Sequence, residues 1–456
     1  MPRSPTLLRE LGFLSATALV VSNMVGTGIF ATTGFMAGDL GDARLILLIW
    51  LAGALFSFCG ALTYSELGIN FPSSGGDYVY LTEAYGPVWG FMTGWISFFA
   101  GFSAPIAAAA LAFAAYLGYF FPALQPGHAW LALGSGAVSL RLGPAQIAGS
   151  AVICLFTVWN CFGLARVARL QNILTGTKLA VLAAFILLAL LASTGDWSHF
   201  STHAVRTSTN SLAVQSVISL VWIMVAYSGW NAATYIAEEL RSPRRTLPLA
   251  LAAGTGIVAA LYLALNVVYI YATPLETMKG VIPVASQAAS RLFGPGIAGG
   301  FTALLTISIT ATINAMITIG PRVYYAMARN GAFFRVAARV HPRWRTPVPA
   351  ILAQGALAAL LTLTPFPQLV LYIGFSLTFF SALAVASVFR FRRRPHWQRL
   401  HALDLAFPLA PGAYLLMAGC MTIYGFVWQP VASFSAAVTV AVGALAYRWH
   451  FRHTAR

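Results

Sequence analysis

No charged residue occurs between Arg345 and Arg390, nor between Asp404 and Arg448. Each gap is about twice the ~20 residues that a helix needs to cross a bilayer. Each therefore reads as a helical hairpin, turning at Thr364-Pro365-Phe366-Pro367 in the first and at Trp428-Gln429-Pro430 in the second. With 59% hydrophobic and 8% charged residues over 456 positions, the whole chain lies outside the range of soluble domains. The same length test predicts an all-α integral membrane protein of about 12 transmembrane helices. Their centres fall near residues 25, 55, 100, 153, 181, 225, 260, 306, 356, 379, 415 and 440.

A net charge of +16 would suit a nucleic-acid binder, so its distribution has to decide. With the N-terminus inside, the inner side collects Arg3, Arg9, Arg166, Arg169, the clusters 241–245, 322–345 and 390–399, and the arginines of the tail. The outer side holds only Arg44, Arg141, Arg206, Lys279 and Arg291. This asymmetry is the positive-inside pattern, so the charge sets orientation and implies no nucleic acid. It predicts a multi-pass protein of the cell (inner) membrane with both termini cytoplasmic. The start, MPRSPTLLRELGF, has basic residues before an apolar run but no small-residue cleavage site, and reads as a tail entering the first span.

Polar connections are short, so residues 1–456 are expected to form one membrane domain. Cys59, Cys154, Cys161 and Cys420 all fall inside predicted spans, with no metal-ligand spacing and no placement for an outer disulfide. No cofactor and no metal are expected.

Two spans differ from the rest. The first contains VVSNMVGTGIFATTGFMAG, where Gly26, Gly28 and Gly34 interrupt a helix; the sixth contains IMVAYSGWNAATYIAEEL, where Ser228, Gly229 and Asn231 break another. Glycine in a membrane helix often only lets neighbours pack closely. Here the two broken segments lie five spans apart, at corresponding positions of two halves, and an odd number of spans per half forces opposite orientations. That is the pattern of an inverted-repeat transporter. Unwound backbone is tolerated in a membrane only where it lines a cavity or is buried in protein. Freed N–H groups of Gly26, Thr27 and Gly28 would face an anion at the positive end of a helix dipole. Freed carbonyls of Met24, Val25, Val225 and Ala226 would face a cation. An α-amino acid carries both charges.

GTGIF (26–30), YSELG with SGGDYVYLTEAYG (64–86), AYSGWN followed by EEL and SPRRTLPLA (226–250), and PRVYYAMARNG with HPRWRTPVPA (321–350) closely resemble the L-amino-acid transporter branch of the amino acid-polyamine-organocation superfamily. The matches cover spans one to nine. The resemblance implies a LeuT-like 5+5 inverted repeat plus two C-terminal helices, with repeats over 10–195 and 210–390 and the last two spans over 404–448. It implies substrate contacts at Met24, Thr27 and Gly28, at Val225, Ala226 and Ser228, and at Asn231. Two departures stand out. The position that is commonly an aromatic gate is Val225, with Trp222 one turn away. The outer loop between spans three and four lacks the cysteine with which animal members attach a single-span glycoprotein, so no disulfide-linked accessory subunit is expected.

Of the 27 basic residues only Lys178 and Lys279 are lysines, and Lys178 sits inside the run NILTGTKLAVLAAFILLALLA. In the family it resembles, a lysine here is similar to a built-in replacement for sodium, touching carbonyls of the broken first helix and a hydroxyl of the eighth span, Thr312 or Ser308. The alternative is a lysine that snorkels to the interface. Nine positions beyond Arg169 is roughly 13 Å of helix at ~1.5 Å per residue, too deep for the stem.

Glu66, Glu238 and Glu239 sit at inner span ends, where pairing with neighbouring arginines is the simplest role, and Asp77 is expected to order the loop between spans two and three. Tyr227 and Trp230 are candidate gates that also read as packing residues. No motif for hydrolysis or nucleotide binding is present, so an enzyme is not expected. One lysine makes no selectivity ring, which argues against a channel. None of the eleven acidic residues is mid-span, which favours neutral over cationic cargo. A sodium-independent exchanger of neutral L-amino acids is the leading reading; a proton-coupled symporter, or a carrier of cationic amino acids or polyamines, is the alternative.

Overall fold

The computed structural model describes residues 7–125, 128–135, 138–192, 194–281, 284–428 and 430–451. Gln429, Arg3, Arg452 and Arg456 lie outside the described residues.

Helices dominate. The first passage is split into α1 (Phe13–Met24) and α2 (Gly28–Leu40). Then come α3 (Ala43–Asn70), the short α4 (Asp77–Tyr85) and α5 (Pro87–Leu117), followed by α6 (Pro144–Asn160), α7 (Leu164–Leu191) and α8 (Leu212–Ala226). A 3₁₀ segment, Ala232–Glu239, continues the passage that α8 begins. The remainder is α9 (Pro243–Ala272), α10 (Pro295–Arg329), α11 (Val348–Leu361), α12 (Phe366–Phe391), α13 (Leu409–Trp428) and α14 (Pro430–Ala446).

Six stretches are long and apolar enough to cross a membrane: α3, α5, α7, α9, α10 and Tyr372–Phe391 within α12. Shorter apolar helices are α1, α6, α8, α11 and Leu409–Tyr424 within α13, of which α1 and α8 end at the breaks. Local chemistry sets many of the starts. Asp42 caps α3, its carboxylate accepting from the Leu45 N–H at 2.8 Å. Proline stands in the first turn of α5, α6, α9, α10, α11 and α12, where its missing N–H costs nothing. Large apolar side chains such as Leu48, Leu55, Leu155, Leu187 and Leu191 are exposed, as suits surfaces that meet lipid.

On the arginine-rich side the acidic residues at helix ends are paired. Arg392 reaches Glu66 at 2.6 Å, Arg322 reaches Glu239 at 2.8 Å and Arg329 reaches Glu238 at 3.0 Å. The all-helical expectation needs one amendment. In the loop between α5 and α6, Leu131–Ser135 and Val138–Leu142 form an antiparallel hairpin, because leucines alternate along both stretches and a two-residue period suits a strand. The four cysteines are free thiols, and no group of metal-ligating side chains occurs among the described residues.

Candidate functional site

The first break is a defined turn. Val25, at φ −74° and ψ 82°, is the centre of an inverse γ-turn closed by the Gly26 N–H donating to the Met24 carbonyl at 2.8 Å. Helix α2 then opens at Gly28, whose first N–H groups have no intrahelical acceptor and carry the positive end of the dipole. The second break follows Ala226. Gly229 takes φ +99°, a left-handed conformation, and packs on the Asn23 side chain.

The two breaks touch. A β-carbon built on Gly28 would lie 2.6 Å from the β-carbon and 2.7 Å from the α-carbon of Ala226, so only glycine permits this approach. Beside the contact is a cavity bordered by Met24, Gly26, Thr27 and Gly28, by Val225, Ala226 and Ser228, and by Thr312 of α10. Trp222 also lines it and stacks on Phe35 of α2, ring centroids 6.1 Å apart. Asn231 and Trp230 line a second, adjoining cavity toward the arginine-rich side. Tyr227 lines neither; it is fully buried between Trp50 and Tyr262.

The freed carbonyls are less free than the sequence suggests. Met24 O accepts from the Tyr262 hydroxyl at 2.7 Å as well as from Gly26, and the same hydroxyl reaches Ala226 O at 3.1 Å. Val25 O accepts from Lys178 Nζ at 2.7 Å and from the Thr312 hydroxyl at 2.8 Å. A carbonyl oxygen has two lone pairs, so Met24 and Val25 have none left for a cargo cation. Gly26 has likewise spent its N–H on Met24. Thr27 and Gly28 remain to meet an anion, and the Ala226 carbonyl keeps acceptor capacity.

Lys178 is 1% exposed and donates to Thr312 Oγ1 at 2.9 Å in addition to Val25 O. It thus ties α7 to the first break and to α10. Ser308, one turn from Thr312, is not brought to the lysine; its hydroxyl is buried with no hydrogen-bond partner. Val25 and Ser308 both lie outside the cavity lining.

A separate chain of buried polar groups begins at Thr175, one turn before Lys178, and runs toward the arginine-rich side. Ser22 Oγ and Thr175 Oγ1 are 2.6 Å apart, and Gln171 Nε2 donates to Thr175 at 3.1 Å. Asn314 donates to Gln171 Oε1 at 2.7 Å, Asn160 to Asn314 Oδ1 at 2.9 Å, and the Thr318 hydroxyl to Asn160 Oδ1 at 2.8 Å. Arg322 then joins the Thr318 carbonyl to Glu239.

The sequence that builds this arrangement, two unwound helices in contact and braced by a buried ammonium, has relatives among known proteins. The profile of the amino acid permease family matches residues 11–447. The chain belongs to the amino acid permease family. Among relatives, the rabbit (Oryctolagus cuniculus) large neutral amino acids transporter small subunit 2 is 30% identical over 438 residues, 93% of this chain and 77% of the relative. The serine/threonine exchanger SteT of Bacillus subtilis is 30% identical over 425 residues, 92% of this chain and 91% of its own length. The mouse (Mus musculus) Asc-type amino acid transporter 1 is 28% identical over 442 residues, 93% and 78%. Within this permease, Tyr262, Asn23 and Phe35 are site residues that the sequence pattern did not single out. A tyrosine in an apolar helix looks like an interfacial anchor until its hydroxyl is seen on two broken-helix carbonyls.

Proposed function

We propose that this permease is a sodium-independent secondary transporter of neutral L-amino acids, working by alternating access as an exchanger. The observation that carries the reading is Lys178 Nζ on the Val25 carbonyl and Thr312. A fixed ammonium occupies the place where unwound carbonyls would otherwise need a bound cation, so the first break is braced without one. The cargo's carboxylate is held by the N–H groups of Thr27 and Gly28. Its ammonium faces the Ala226 carbonyl and the Ser228 hydroxyl. Phe35 and Trp222 close over the side chain, a role that Val225 is too small to fill. Relatives named for large neutral amino acids and for serine/threonine exchange support a neutral cargo.

The arginine-rich side is cytoplasmic in this reading, with both termini inside a cell membrane. Residues 10–195 and 210–390 form the two inverted repeats, and 404–448 stand apart from them. It works without a disulfide-linked accessory subunit, because the outer loop 118–143 has no cysteine to bond one.

The test is uptake of labelled serine and leucine into proteoliposomes, with and without internal amino acid, in sodium or choline. Uptake should rise with internal amino acid and ignore the change of cation. A requirement for sodium, or preference for arginine or putrescine, overturns the proposal.

A further inference from the structure

Asp77 comes from a polar loop, yet its side chain is buried at 5% exposure. The Tyr64 hydroxyl donates to one carboxylate oxygen, and the Tyr235 hydroxyl donates to the other at 2.7 Å. Asn231 Nδ2 donates in turn to the Tyr235 oxygen at 3.0 Å. Among the described residues, no arginine, lysine or histidine forms an ion pair with Asp77. Three other acidic residues on this side, Glu66, Glu238 and Glu239, each have an arginine. Burial pushes the Asp77 carboxyl upward, and the two tyrosine hydroxyls pull it back.

A buried carboxylate without a cation is costly, and two tyrosine bonds use only about half of its acceptor sites. Asp77 lines the second cavity, which shares Asn23, Pro105, Ser228 and Met316 with the cavity at the breaks. Ser97, Thr378 and Ser381 and the aromatic residues Trp230 and Tyr414 also line it. Oxygen acceptors beside aromatic faces suit an organic ammonium better than a small inorganic cation, which needs a full shell of oxygens.

We infer that this second cavity is a binding station for the ammonium of the cargo, with Asp77 as its counter-ion, lying between the central site and the cytoplasm. The inference rests on the transporter reading and its sidedness. A cargo leaving the breaks gives up its carboxylate contacts at Thr27 and Gly28 and moves its ammonium past Ser228 to Asp77. Every neutral α-amino acid carries that ammonium, so the station needs no cationic side chain.

The probe is ethanolamine, which is serine without its carboxylate. It has no anion for the N–H groups of α2 and keeps the ammonium for Asp77. Serine exchange is measured in right-side-out and inside-out membrane vesicles. Ethanolamine applied to the cytoplasmic face should inhibit the wild type at least tenfold more strongly than ethanolamine applied to the outer face. Asp77→Asn should remove that sided inhibition and raise the cytoplasmic half-saturation for serine at least tenfold, leaving the outer one within twofold. Asp77→Glu and Tyr235→Phe keep the charge and should keep the inhibition. Equal inhibition from both faces, no inhibition, or Glu and Asn variants that behave alike would overturn the station. The wild-type arm decides even if the Asn variant does not fold. Absence of any serine or leucine exchange would instead refute the transporter reading.

Discussion

Gly28 and Ala226 are in backbone contact, so the two halves of the site meet with no side chain between them. Gly28→Ala should therefore insert and remain monodisperse but lose more than tenfold in exchange rate. Adding Ala226→Gly should rescue little, because the Ala226 α-carbon is as close as its β-carbon. Exchange in proteoliposomes at matched protein density is the measurement, and full rescue by the double variant would count against the argument.

Lys178→Ala should keep membrane insertion and lose most exchange. It removes one of two donors to Val25 O and one acceptable partner of Thr312, each loss costing on the order of 1–3 kcal/mol in a poorly hydrated site. Flux of the wild type in choline should equal that in sodium. A variant as active as wild type would make the lysine an anchor only.

Val225→Phe should narrow the cavity and shift competition by at least roughly tenfold from leucine toward alanine and serine, since even one methylene of lost room is worth about 1–3 kcal/mol. Trp222→Ala, which removes the stack on Phe35, should raise the half-saturation for every cargo. An unchanged profile in the first variant would leave the Phe35–Trp222 pair as the sole gate.

Arg322 and Glu239 form an ion pair in which both side chains are 1% exposed. Removing one partner strands a buried charge, at about 3–5 kcal/mol. Glu239→Leu should sharply lower the unfolding temperature in detergent, and Glu239→Leu with Arg322→Met should recover most of it. If the single variant melts like wild type, the pair is not a structural clamp.

The membrane spans were legible because a length of uncharged chain has few other fates, and the breaks because glycine, serine and asparagine cluster in otherwise apolar segments. Lys178 was legible by its depth. Asp77 was not: in sequence it is one polar residue of a loop, and only the fold brings the start of α4 to the hydroxyls of Tyr64 and Tyr235. The γ-turn that consumes the Gly26 N–H was equally hidden, since nothing in the residue types around Val25 distinguishes it from other ways of unwinding a helix.

The buried chain from Ser22 to Glu239 passes through the carboxamides of Gln171, Asn314 and Asn160. Each of these groups offers N–H on one side and C=O on the other, with no lone proton to hand on and no basic nitrogen to receive one. The chain is polar from end to end and yet behaves as an electrical insulator. Among the described residues the chain ends at Ser22 and Thr175, one turn from Lys178 and not hydrogen-bonded to it, so it offers protons at the arginine-rich face no relay to the brace.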